Sequence, residues 1–251
     1  LDKDIDNLRI AAEIVQPVDV FMNSASPGCL VNYVPNTYYP DRDKYREALV
    51  NAMREEYNTI HGAGFVLQLD CPDLAGSRHT DYQDWSDDEF LADAIKSIEA
   101  LNEATSDIPP EAMRMHICWL NYAGPHTHDI PVSRLIDLLC LARPQAILFE
   151  GANPRHEHEW EDWMGAEIPD DKVLVPGVID STNNFVEHPA LIAQRICRYA
   201  DIVGRERVLA GTDCGFSTYA GRKAVFPSIV MAKLRALAEG AGIATTKLWN
   251  Q

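Results

Sequence analysis

The sequence predicts an α/β chain, most simply a (β/α)8 barrel, and three observations carry that expectation. Short apolar runs alternate with amphipathic helical patterns along all 251 residues. The runs are continuously apolar, as in strands of a parallel sheet buried on both faces. Several of them also end in a residue with chemistry to offer, and a parallel α/β fold keeps its chemistry at the C-terminal ends of its strands.

The strand candidates, in order, are VDVFMNSA (18–25), GFVLQLD (64–70), RMHICW (114–119), QAILFEG (145–151), KVLVPGVID (172–180) and RVLAGTDCG (207–215). Between the first two, Tyr45, Ala48, Leu49, Ala52, Met53 and Ile60 follow a 3.6-residue period, and Gly62 is a natural stop. Ser86 with Glu89 three residues later reads as a capping box for the next helix. Ser133 is placed to cap RLIDLLCLA, which Pro144 ends. His188-Pro189 and Pro227 open the last two helices, since proline suits a first helical turn.

Six strands fall short of the eight in a closed barrel. The expectation is therefore one catalytic domain, residues 1–251, whose first two βα units precede Leu1 or are lacking. An open doubly wound sheet is the alternative. The chain starts at Leu1 rather than Met, as a fragment would, and shows no signal peptide.

Lys and Arg number 22 against 38 Asp and Glu, a net charge of −16. Such a surface repels phosphate backbones and anionic headgroups, which argues against nucleic acid or a membrane as partner. No apolar run approaches the roughly 20 residues of a membrane span. The six cysteines are scattered, so reduced thiols in a cytoplasmic setting are expected. A homo-oligomer is compatible with all of this.

Four residues at strand ends make a candidate Zn²⁺ site: His116 and Cys118 in RMHICW, Glu150 in AILFEG and Cys214 in AGTDCGF. On a strand, His116 and Cys118 point to one face. Taken singly, a strand cysteine is most often a small buried hydrophobe, and a strand-end Glu serves equally in an ion pair. Together, an imidazole, two thiolates and a carboxylate form a tetrahedral set, and thiolates favour zinc over Mg²⁺ or Ca²⁺. Two thiolates suit a metal that holds a substrate thiol better than one that activates water, which disfavours an amidohydrolase-type zinc hydrolase.

These segments resemble the catalytic C-terminal barrel of the cobalamin-independent methionine synthases through most of the chain. SASPGCL is similar to the family's Pro-Gly loop, and GAGFVLQLDCPDL to its G-x-x-x-x-Q-x-D-x-P-x-L segment. RMHICW carries its H-x-C pair, LFEGANPR its strand-end Glu and AGTDCGF its D-C-G turn. The resemblance implies a barrel of the methionine synthase/uroporphyrinogen decarboxylase-like type, with His116, Cys118, Glu150 and Cys214 as zinc ligands and catalytic residues. It places Asp70 where the family binds the amino group of its amino-acid thiol. The implied activity is methylation of a thiol such as homocysteine, with a small-molecule alkyl donor as the other partner.

The departures from the family pattern fall on the donor side. Thr182 stands where the family has a proton-donor His, Cys71 replaces the Glu of its D-E-P, and Gly76 replaces a folate-contacting Glu. A short stand-alone branch, which includes epoxyalkane:coenzyme M transferases, implies a zinc-held thiolate opening an epoxide instead. A sulfonate thiol needs a basic contact, for which Arg155 and Arg78 are candidates. Asn121 and Tyr122, just past the H-x-C strand, are candidate pocket residues along with Thr182. The pairs His126/His128 and His156/His158 lie in loops after ligand-bearing strands, where substrate contact, proton transfer and simple loop ordering are all open. The loop with Tyr33, Tyr38 and Tyr39 is a candidate cover for the site.

Overall fold

Alternation along the strands sets the architecture. In β2 (Val66–Asp70), Leu67 and Leu69 are fully buried while Val66, Gln68 and Asp70 are partly exposed. In β3 (Met113–His116), Met113 and Met115 are buried while Arg114 and His116 are not. The expectation of strands buried on both faces fails for these two. One face packs into the core, and the other carries polar groups: Arg114 Nε donates to Gln68 Oε1 at 2.7 Å. That second face leads up to the site.

The computed structural model describes residues 1–217, 221 and 224–250. With β1 (Phe21–Ala25), β4 (Ala146–Phe149), β5 (Val173–Ile179) and β6 (Gly211–Thr212), the described strands form one six-stranded sheet in the order β1-β2-β3-β4-β5-β6. Every pairing is parallel. A doubly wound sheet reverses its strand order at a switch point. This order has no reversal, so the open-sheet alternative is set aside in favour of a parallel half-barrel.

Register levels the strand ends. Ala25 pairs with Asp70, Asp70 with His116, and His116 with Leu148. Cys118 and Glu150 each lie two residues beyond a member of that row, so loop chemistry from neighbouring strands gathers at one height.

Helices flank the strands: α1 (Asp2–Val15), α2 (Pro27–Tyr33), α3 (Arg42–Gly62), α4 (Gly76–Thr80), α5 (Asp87–Ala104), α6 (Ile136–Cys140), α7 (Trp160–Met164), α8 (Pro189–Val203) and α9 (Pro227–Trp249). The expected stop at Gly62, the Ser86/Glu89 capping box and the proline starts of α8 and α9 are all present. Ser133 does not cap α6; it lies inside a short 3₁₀ turn, Val132–Arg134, and α6 begins two residues after that turn. Sequence periodicity did not reveal α1 or α2. The Pro-Gly loop of SASPGCL is the start of α2, where the Ser26 hydroxyl accepts from the Cys29 amide.

β6 is much shorter than its apolar run. Its register against β5 shifts between Gly177 and Ile179. The backbones approach so closely there that a Cβ on Gly177 would sit 2.6 Å from Asp213 Cα. The preceding Val208 makes an isolated bridge to Leu174 instead of extending the ladder. Among the described residues, no helix is long and apolar enough to cross a membrane.

Candidate metal centre

His116 ends β3, Cys118 lies two residues on, and Cys214 lies two residues past β6. Cys118 Sγ is 3.3 Å from Cys214 Sγ, and Cys214 Sγ is 3.3 Å from His116 Nε2. Among the described residues, these three form the one group of metal-type side chains whose donor atoms all lie within 4.8 Å of one another. Donors about 2.0–2.3 Å from a tetrahedral zinc are separated by about 3.3–3.8 Å. The observed separations fit one ion, and all three residues are half-buried.

The electrostatics favour deprotonated sulfur. The Cys118 thiol is lowered to about 5, by its hydrogen bond with Cys214 first, and further by His116 and the Leu120 amide, which donates at 3.1 Å. Cys214 is held well above the usual thiol value by burial and by the neighbouring Cys118 charge. The pair therefore loses one proton easily and keeps the second, as expected where a cation is needed to release both. Burial pulls His116 down, but the hydrogen bond and charge of Cys118 outweigh it, leaving the imidazole raised.

Glu150 stands beside this trio rather than within it. Its Oε1 lies 3.7 Å from Cys214 Sγ and accepts the Trp119 amide at 2.9 Å. Its Oε2 accepts Asn153 Nδ2 at 2.7 Å. Burial, with Cys118 and Asp213 nearby, pushes its carboxyl up to about 8.

Asp213 was not singled out in the sequence, although its placement directly before a candidate ligand was a signal. It is fully buried, and its carboxylate accepts the Gly151 and Ala152 amides at 2.9 Å each and Asn153 Nδ2 at 3.0 Å. It ties the turn bearing Cys214 to the loop bearing Glu150. On the other side of the turn, Ser181 Oγ accepts from the Cys214 amide at 3.2 Å and from Asn121 Nδ2 at 2.8 Å.

The other expected pocket residues are placed as follows. Asp70 is the register partner of His116, with Gln68 Nε2 at 3.4 Å. Buried Asn121 accepts Arg155 Nη2 at 2.8 Å, and Arg155 Nη1 donates to the Tyr122 carbonyl at 3.0 Å. Tyr122 Oη donates to the Pro125 carbonyl and pairs with His79 Nε2 at 2.9 Å. Thr182 uses both its amide and its hydroxyl on Asp180 Oδ1, at 2.7 Å each, so it is engaged in its own loop.

Of the paired histidines, His126 and His156 face a shared carboxylate. Asp129 Oδ2 lies 2.9 Å from His126 Nδ1 and 3.5 Å from His156 Nε2, and Glu159 Oε2 lies 2.9 Å from His156 Nδ1. Tyr33 reaches Ser77 Oγ at 3.4 Å, while Tyr39 stacks on Tyr45 and Tyr38 is exposed, so part of the expected cover packs against α3 instead. Arg78 is committed to Asp87 and to the carbonyls of Tyr82 and Gln83.

The chain is 23% identical over 249 residues to the methionine synthase of Saccharolobus solfataricus (strain ATCC 35092 / DSM 1617 / JCM 11322 / P2), covering 97% of this chain and 64% of that protein. The chain is thus similar, along nearly its whole length, to a methionine synthase. The structure of a B12-independent methionine synthase from Shewanella sp. W3-18-1, in complex with selenomethionine, superposes with a TM-score of 0.72 at 18% identity. That match covers 98% of this chain and 68% of the Shewanella chain and shows a shared fold. The chain thus spans about two thirds of the length of these relatives. No family model matches it.

Proposed function

We propose that the chain is a zinc-dependent S-methyltransferase acting on a thiol such as homocysteine, in methionine biosynthesis. The observation that carries this reading is the meeting of His116, Cys118 and Cys214 within hydrogen-bonding distances at the strand ends. His116 and the two cysteines would hold the ion. Zinc bound there keeps a substrate thiol deprotonated at neutral pH while leaving it nucleophilic.

The chain's own residues supply the rest. Glu150, 3.7 Å from Cys214 Sγ, is a carboxylate beside the trio and the candidate fourth ligand. Its interactions with Trp119 and Asn153 give it a place to rest when it is not bound to metal. Asp70, in register with His116, suits a substrate ammonium. Asn121 and Tyr122 follow β3, and Asn121 Nδ2 donates to Ser181, the neighbour of Thr182, so all three are candidates for substrate contact. Two cysteine sulfurs in the ligand set weigh against an activated-water hydrolase.

The test is zinc content together with proton release on adding homocysteine, followed by mass spectrometry for methionine with 5-methyltetrahydrofolate as donor. One bound zinc and thiol-dependent proton release are expected. Bound zinc with no proton release across neutral pH would sink the reading.

A further inference from the structure

Resting on the zinc reading above, we infer that Leu120 is a positioning residue of the metal centre. Its strained turn keeps a backbone amide on Cys118 Sγ and makes the two cysteine ligands chemically unequal, Cys118 the weaker nucleophile and Cys214 the stronger.

Leu120 has a φ of 72°, and among the described residues the other non-glycine with a positive φ is Gln16, the C-cap of α1. A left-handed backbone crowds Cβ against the carbonyl oxygen, so leucine rarely adopts it. The helix end accounts for Gln16. Leu120 ends no helix, and strain of this kind persists only where the surroundings enforce it.

The surroundings here are α4 and the H-x-C segment. The Leu120 amide donates to Cys118 Sγ at 3.1 Å, and the Cys118 carbonyl accepts from the Gly76 amide at 2.9 Å. From that point the left-handed φ lays the leucine side chain over the first residue of α4. A Cβ on Gly76 would sit 2.6 Å from Leu120 Cγ and 2.9 Å from the Cys118 carbonyl oxygen. The side chain could give way, but the carbonyl is backbone and could not move without the turn. Gly76 is therefore the space into which the turn fits. The preceding amide, of Trp119, donates to Glu150 Oε1 at 2.9 Å, so two successive amides face donors of the candidate site.

Cys214 has no equivalent. Its sulfur lies 3.3 Å from Cys118 Sγ, 3.3 Å from His116 Nε2 and 3.7 Å from Glu150 Oε1, and among the described residues no backbone amide donates to it. Its own amide is spent on Ser181 Oγ. An N–H aimed at a thiolate draws charge from the sulfur and weakens its attack on carbon. Where an alkyl electrophile is brought to a zinc-held thiol, the protein's own sulfurs compete for it. The Leu120 amide quiets one competitor and leaves Cys214 as the sulfur open to alkylation.

The experiment treats the zinc-loaded protein with iodoacetamide, whose carbon bonds to sulfur as iodide leaves, and follows each cysteine by peptide mass spectrometry. Cys214 should be alkylated roughly ten- to a hundredfold faster than Cys118, the range of a charge-assisted hydrogen bond. Leu120→Gly, which takes a positive φ freely, should keep that ratio. Leu120→Val, whose branched Cβ tolerates it poorly, and Gly76→Ala should bring the ratio towards one at equal zinc content. Accessibility is separated from hydrogen bonding by loading NMR-active cadmium in place of zinc. The metal should then couple through Cys118 Sγ to the Leu120 amide proton in the wild type and in Leu120→Gly, but not in Leu120→Val. No such coupling in the wild type, equal alkylation of the two cysteines, or an unchanged ratio in zinc-loaded Leu120→Val overturns the inference and leaves the zinc reading intact. A wild type that binds neither metal removes the zinc reading, and the inference with it.

Discussion

The sulfurs of Cys118 and Cys214 stand 3.3 Å apart although 96 residues separate them in the chain and two strands separate them in the sheet. In a flat sheet, strands three places apart lie about 14 Å apart. The two sulfurs meet because the sheet curves, bringing the ends of β3 and β6 over a common point. On the proposed zinc reading, Cys214→Ser should cost most of the bound zinc while leaving the fold in place. Metal analysis paired with far-ultraviolet circular dichroism checks this; full zinc content in the variant would remove Cys214 from the ligand set.

At Gly177 the backbone of β5 runs close against the segment that follows β6. An added Cβ would meet Asp213 Oδ1 at 2.1 Å and the Asp213 backbone nitrogen at 2.7 Å. Gly177→Ala should force β6 away from β5, displace Asp213 from the Gly151 and Ala152 amides, and weaken zinc binding at least tenfold. Backbone strain and lost burial together should lower stability by about 1–3 kcal/mol. Competition against a zinc chelator and a thermal melt give both numbers, and a variant with unchanged zinc affinity would contradict the close-approach argument.

His156 makes stability depend on alkaline pH. Burial opposes its charged form, but the carboxylates of Asp129 and Glu159 on either side of the ring and the nearby Glu150 charge outweigh that and raise the imidazole to about 9 from its ordinary 6.5. A group whose pKa is raised by folding contributes its full stabilisation below the unfolded value and loses it as pH climbs through the folded one. The wild type should thus lose on the order of 1–3 kcal/mol between about pH 6.5 and 9.5 from this residue. His156→Gln should start lower and show a flatter profile across that window. Chemical denaturation in steps of pH is the measurement, and parallel slopes for the two proteins would contradict it.

The packing of α8 against α9 offers a matched pair of substitutions. A Cβ on Gly240 would lie 2.5 Å from Ile192 Cγ2 and 2.9 Å from the Pro189 carbonyl, whereas a Cβ on Gly242 meets nothing within 4 Å. Gly240→Ala should destabilise by about 1–3 kcal/mol through overpacking. Gly242→Ala should stabilise by roughly 0.5–1 kcal/mol through helix propensity. Melting temperatures that moved in the same direction for both would refute the assigned contact.

Much of this was legible beforehand, because period and punctuation are local signals. Proline and Ser86 marked three helix starts, and apolar runs marked all six strands. His116, Cys118 and Cys214 could be grouped because strand ends in a parallel sheet share one side. Asp213 escaped notice because its role is defined by amides more than 60 residues away. Strand exposure was misjudged because Gln68 and Arg114 satisfy each other across a face that apolarity alone describes as dry. The true end of β6 depends on the Gly177 approach, which no window of sequence contains.

The brevity of β6 bears on what a metal bound at the trio would hold together. Two residues of ladder provide little hold, and beyond them α9 packs Ala236 and Ala244 into a small apolar cluster with Val178 and Ile179 of β5 and Ile192, Ala193 and Ile196 of α8. Cys214 comes from this C-terminal part, while His116 and Cys118 belong to the strands of the larger core. An ion held by all three would act as a rivet between the larger core and the smaller cluster. Its binding energy would then appear as hydrogen-exchange protection in α8 and α9, and stripping it should let those helices open before the rest of the sheet.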